Sequence, residues 1–115
     1  MTQKLTILFD LDGTLVDTAP DLVNAHKHVM KKFGFETKAT DDIKKLVGRG
    51  AKSLIYRSIY NTAKKEFRKF TDESTKEEMV KEFINYYGRN INNESRIIDG
   101  VTDFLSWCKN EKISM

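Results

Sequence analysis

A chain of 115 residues, 39% hydrophobic and 32% charged, is the size of one domain or of part of a larger one, and its composition excludes a disordered polypeptide. The net charge of +3 is uneven: residues 16–90 hold sixteen Lys/Arg against eleven Asp/Glu, and the flanking segments hold four against six. That basic middle has no aromatic–basic binding motif, so it reads as a solvated lysine-rich surface and nucleic-acid binding is not expected.

Residues 5–9, Leu-Thr-Ile-Leu-Phe, form a short apolar run with apolar side chains on both parities, the pattern of a parallel strand buried on both faces. The run is too short for a membrane span or a signal peptide, and the cytoplasm is the default compartment. A helix follows. Thr18 and Asp21 have the spacing of a capping box, Pro20 suits a first turn, and Gly34 ends the helix. Leu22, Ala25, Val29, Met30 and Phe33 keep helical spacing between them. His26 and His28 fall on different faces of this helix, make a poor metal pair, and read as surface or boundary residues.

A second helical stretch from about Thr40 carries Ile43, Leu46 and Val47; Gly48-Arg49-Gly50 breaks it, and Leu54, Ile55 and Ile59 mark a third. The next segment is highly charged, with Phe67 and Phe70 as its anchors. From Thr75 a stripe of Met79, Val80, Phe83, Ile84 and Tyr87 runs to Gly88. After a turn rich in Asn, Gly100 precedes a short helix with Val101, Phe104, Leu105 and Cys108, the lone cysteine, and Trp107 covers its outer side. Ile113-Ser114-Met115 has the character of a second strand's first step. The middle of the chain is thus an all-helical bundle set into an α/β frame.

Chemistry concentrates in Asp10-Leu11-Asp12-Gly13-Thr14-Leu15-Val16-Asp17-Thr18. Asp10 and Asp12 lie two residues apart at the C-terminal end of the first strand, where parallel α/β sheets bind ligands, and an extended backbone puts both carboxylates on one side. Gly13 allows a tight turn close to a ligand, and Thr14 offers a hydroxyl and an amide. Paired carboxylates suit a hard cation such as Mg²⁺, which bridges to phosphate. The glycine comes too early for an EF-hand, and a strand precedes it rather than a helix.

This string resembles the first motif of the haloacid dehalogenase superfamily, most closely its phosphoglycolate phosphatase branch. Val47-Gly48-Arg49-Gly50-Ala51 is similar to the substrate-facing loop of that branch's helical cap. Asp99-Gly100-Val101 is similar to the stretch leading into the second core strand, with Asp99 where the family usually has Pro. The resemblance implies an α/β fold: a haloacid dehalogenase-like Rossmannoid core, incomplete here, from residues 1–15 and 91–115, with residues 16–90 inserted as a helical cap. It implies a Mg²⁺-dependent phosphatase of small phosphorylated metabolites, in which Asp10 is the nucleophile and Asp12 the general acid and base. Asp10 and Asp12 would hold Mg²⁺, and Gly13, Thr14 and Arg49 would bind substrate.

The family's later pieces (a Ser or Thr, a Lys and an acidic pair) are expected beyond Met115, so this chain alone is expected to be inactive or very weak. Roughly 40 residues of core are fewer than usually fold unaided, and an exposed core face would favour self-association. The alternative function is a catalytically inactive remnant whose helical bundle serves as a binding module.

Overall fold

The structure, a computed structural model, describes residues 4–60 and 72–115. Its elements are β1 (Val16–Asp17), α1 (Ala19–Lys32), α2 (Thr40–Lys44), α3 (Gly50–Tyr60), α4 (Glu73–Arg89), β2 (Arg96–Ile97) and α5 (Val101–Asn110). The expected anchors Phe67 and Phe70 lie outside the described residues.

Four helices share one core. Val29, Met30, Ile43, Leu54, Ile55, Ile59, Met79 and Phe83 are all buried in it. Both α1 and α3 pack on α4, and α2 packs on α1. Most of the apolar stripes on α1, α3 and α4 therefore face the core, because an amphipathic helix gains most by turning its apolar stripe inward. Helix α1 stops as expected. Gly34 takes φ +78°, which an L side chain rarely adopts. Its amide then reaches the Lys31 carbonyl at 3.3 Å, and the Phe35 amide reaches that of Met30 at 2.8 Å, the paired bonds of a Schellman stop.

Two helix ends differ from expectation. Thr18 makes no side-chain cap to α1, because its hydroxyl is engaged elsewhere. Gly88 does not end α4, which continues to Arg89 and is capped by Asn90, whose side chain donates to the Tyr86 carbonyl at 2.9 Å. At the other end of α4, Asp72 accepts the Thr75 amide at 2.7 Å, and this bond holds its carboxyl below the usual range.

Strands β1 and β2 pair antiparallel, Val16 opposite Ile97 and Asp17 opposite Arg96, where the chain enters and leaves the helices. Asp21, in the first turn of α1 and 2% exposed, bolts this stem down. Its carboxylate accepts the amides of Glu94 (3.0 Å) and Ser95 (2.9 Å) and the Ser95 hydroxyl (2.6 Å). Burial opposes the charge, but the Ser95 hydroxyl and the backbone amides together hold the carboxyl below its ordinary value. Asp21→Ala would strand the two buried donors of Ser95 and the part-buried Glu94 amide, and should cost about 3 kcal/mol in denaturant unfolding at pH 7. A loss below about 1 kcal/mol would mean that water replaces the carboxylate freely.

Residues 5–9 run extended beside Ser114: the Ile7 amide donates to the Ser114 carbonyl (2.9 Å) and the Ser114 amide to that of Leu5 (3.1 Å), in parallel sense. This is a single bridge rather than a ladder. Burial on both faces is not observed either, since Leu8 is 90% exposed and Leu5 and Leu11 are also exposed. A strand is buried twice only when a layer covers each face. Among the described residues just one cover is recorded, where Phe9 meets Phe104 of α5 edge to face at 6.1 Å. Trp107 stacks on Phe104 and stays half exposed, while Cys108 is fully buried.

Candidate active site

Beyond Phe9 the chain coils around one carbonyl. The amides of Thr14, Leu15 and Val16 all point to the Leu11 oxygen at 3.0–3.2 Å, and the Gly13 amide returns to the Val16 carbonyl at 2.8 Å. Gly13 takes φ +76°, so the turn needs a residue without a side chain there. The coil leaves Asp10, Asp12 and Gly13 on the wall of a cavity of about 710 Å³, a size suited to a small molecule rather than a macromolecule. Asp17 and Thr18 extend that wall.

The helices supply the other walls. Leu22 comes from α1, Val47 and Gly48 from the α2–α3 turn, Ala51 and Leu54 from α3, and Phe83, Ile84 and Tyr87 from α4. Ile84 belongs to the apolar stripe of α4 yet is exposed, because it faces this cavity rather than the core. Gly88 lines it too, one turn on. The Tyr87 hydroxyl is pushed up from its ordinary pKa by burial first and then by the charges of Asp12 and Asp21, so it stays protonated at neutral pH.

Of the residues singled out in the sequence, the structure brings Asp10, Asp12 and Gly13 together. It does not bring Thr14 or Arg49 to the cavity: both are exposed and neither lines it. The Thr14 amide is spent on the turn, and Arg49 is exposed between Gly48 (φ +111°) and Gly50 (φ +86°), which do line the cavity. Among the described residues, the cation that does line the cavity is Lys44, from the end of α2. Thr18 was also missed, since it resembles a helix cap. Its buried hydroxyl donates instead to Asp12 Oδ1 at 2.8 Å and orients that carboxylate. Six residues separate the two, and only the coil at Gly13 closes that gap.

Among the described residues no group of three or more His, Cys, Asp or Glu side chains converges to cage a metal ion. Two carboxylates on one wall do fit a hard cation that keeps open positions for water and phosphate oxygens, as Mg²⁺ does. They would not make a closed structural site of the zinc kind.

Residues 7–115 match the family model described as haloacid dehalogenase-like hydrolase. A phosphoglycolate phosphatase of Caulobacter vibrioides is 39% identical over 101 residues, 88% of this chain and 40% of that protein. One from Haemophilus influenzae is 34% identical over 108 residues, 94% of this chain and 48% of that protein. The chain thus spans somewhat under half the length of these curated relatives. In three dimensions, a crystal structure of a predicted phosphoglycolate phosphatase from Haemophilus somnus superposes with a TM-score of 0.87 at 32% identity, over 98% of this chain and 50% of that one. The architecture this chain shares with that structure is an α/β core, incomplete here, with an all-helical insertion. Among the described residues no helix is long and apolar enough to cross a membrane.

Proposed function

The chain belongs to the haloacid dehalogenase-like hydrolases, a phosphatase family by its named relatives, and from that premise we propose that it carries the nucleophile and the acid–base group of a Mg²⁺-dependent phosphatase for small phosphorylated metabolites, with phosphoglycolate the first to test. The observation that supports this best is the placement of Asp10 and Asp12 on one wall of a cavity sized for a small molecule. We take residues 16–90 as the cap and residues 1–15 and 91–115 as part of the core.

In the first step an Asp10 carboxylate oxygen attacks phosphorus, the bond from phosphorus to the ester oxygen breaks, and Asp12 gives that oxygen its proton. In the second, Asp12 takes a proton from water as the water oxygen attacks the aspartyl-phosphate, which frees Asp10 and inorganic phosphate. Thr18 holds Asp12 facing the cavity through both steps. The Asp10 carboxylate and the Asp12 backbone carbonyl would hold Mg²⁺, which supplies charge neutralisation to the transferring group. The Gly13 amide is already bonded to Val16, so the phosphoryl oxygens take their donors elsewhere on the wall.

The test is phosphate release from phosphoglycolate by the 115-residue chain with and without Mg²⁺, beside Asp10→Asn. Release that needs the metal and vanishes in the variant supports the proposal. A second reading has one observation in its favour: the well-packed core cluster lies wholly between Val23 and Phe83, on the helices and the turns that join them. A chain that binds phosphoglycolate and releases nothing would be the inactive helical binding module instead.

A further inference from the structure

Gly88 stands inside α4, one residue before its end, and the phosphatase steps above give it no part. Its φ is not positive, unlike that of Gly13 or Gly34, so the backbone does not require glycine there. Packing does not require it either, since an added Cβ would meet nothing within 4 Å. A helix holding glycine is less stable than one holding alanine, so the open space is kept against helix propensity. Ile84, four residues earlier on the same face, is large and apolar yet 55% exposed. Both line the cavity. Phe83 and Tyr87 line it as well, and their rings stack with centroids 6.0 Å apart and planes 21° from parallel. Burial, and then the charges of Asp12 and Asp21, raise the Tyr87 hydroxyl, so this ring lies within electrostatic reach of the motif wall.

The other helical walls have similar chemistry. Leu22, Ala51 and Leu54 are apolar, and Lys44 is an exposed side chain of the kind that keeps its charge in water. Among the described residues no Ser, Thr, Asn, Gln or His of α1, α2, α3 or α4 lines the cavity. Resting on the phosphatase reading, we infer that Phe83, Ile84, Tyr87 and Gly88 form a shelf for the body of the substrate, and that the substrate class is a phosphomonoester with an apolar, ring-bearing body. A polyol body, such as a sugar's, would bury hydroxyls against carbon with too few partners, and each unpaired hydroxyl weakens binding. A ring without hydroxyls covers Ile84 and the Tyr87 ring, and Gly88 leaves room beside them. The cavity, of about 710 Å³, has space for such a ring beside the phosphoryl group. A two-carbon ester such as phosphoglycolate has no ring to cover the shelf.

Titration of the ¹⁵N-labelled 115-residue chain with phenyl phosphate, glucose 6-phosphate or ethyl phosphate, each with Mg²⁺, tests this. The Asp12 and Gly13 amides report the phosphoryl end, and those of Ile84 and Gly88 report the shelf. The wild-type chain is expected to bind phenyl phosphate about tenfold more tightly than the other two esters, with all four amides shifted. Ile84→Asn should bring phenyl phosphate and glucose 6-phosphate within about threefold, with the melting temperature unchanged because Ile84 is outside the core cluster. Gly88→Leu should weaken phenyl phosphate to the level of ethyl phosphate and raise the melting temperature, two opposite effects that a merely structural glycine does not give. If the wild type fails to prefer phenyl phosphate, or either variant keeps the preference, while the esters still shift Asp12 and Gly13, the shelf is overturned and the phosphatase reading stands. If no ester shifts Asp12 or Gly13 in the presence of Mg²⁺, both are overturned together.

Discussion

Asp10→Asn is expected to abolish whatever Mg²⁺-dependent phosphate release the chain shows, a loss that in a complete catalytic site is on the order of 10⁴ or more, equivalent to about 5 kcal/mol in the barrier. The amide has no oxygen with carboxylate nucleophilicity, so the covalent intermediate cannot form. The loss should fall in turnover and not in folding: Asp10 is exposed, and no side-chain hydrogen bond ties it to the described residues. The melting temperature of the variant should therefore match that of the wild type. Thr18→Val offers a graded comparison. It removes the 2.8 Å bond to Asp12 Oδ1 and keeps the shape of the side chain, so a loss of about tenfold is expected from a misoriented acid rather than an absent one. Phosphate release that survives Asp10→Asn would show that another group is the nucleophile.

The second large effect concerns stability in acid. His26 is fully buried between α1 and α3, against its reading as a surface or boundary residue. The Ser58 hydroxyl donates to the Leu54 carbonyl at 2.8 Å, so at 2.6 Å it accepts from His26 Nε2–H, and Nδ1 is left without a partner among the described residues. Protonation would place a cation there. Burial, and then the charges of Lys38 and Lys27, push the pKa down from 6.5 to about 4. A depressed base binds fewer protons folded than unfolded, so its contribution is fully present above pH 6.5 and is lost as pH falls towards 4. The loss from pH 7 to pH 4 should be about 3 kcal/mol.

His26→Leu isolates this term. Ser58 keeps its bond to Leu54 in the variant, so no donor is orphaned, and the stability curve should flatten between pH 6.5 and 4. Wild-type and variant curves that run parallel across this window in denaturant titrations would refute the account. Below pH 4 Asp21 adds to the decline, because its depressed carboxyl then takes up the proton that its bonds to residues 94 and 95 exclude.

Much of this was legible in the residues. His26 itself carried a signal, standing three residues after Val23 and three before Val29, both buried on α1; a helical face that is apolar above and below a histidine buries it too. Lys44 carried none. An exposed lysine closing a five-residue helix looks the same in sequence whether it borders a cavity or open solvent. Arg49 drew attention because two glycines flank it, and of the three it is the glycines that line the cavity.

What sequence by itself determined was local. The faces of α1, α3 and α4 follow from spacings of three and four residues, the stop at Gly34 from the lack of a side chain, and the closeness of Asp10 to Asp12 from an interval of two. Each depends on backbone geometry within a turn or two, which residue type governs directly. Tertiary structure alone decided the contacts that cross long stretches of chain, His26 on Ser58 and Asp21 on Ser95, and it brought Lys44 to the same cavity lining as the acidic motif. A periodic pattern says that a face is buried and never against what. The partner is set by how whole helices pack, and that packing free energy is summed over many residues at once.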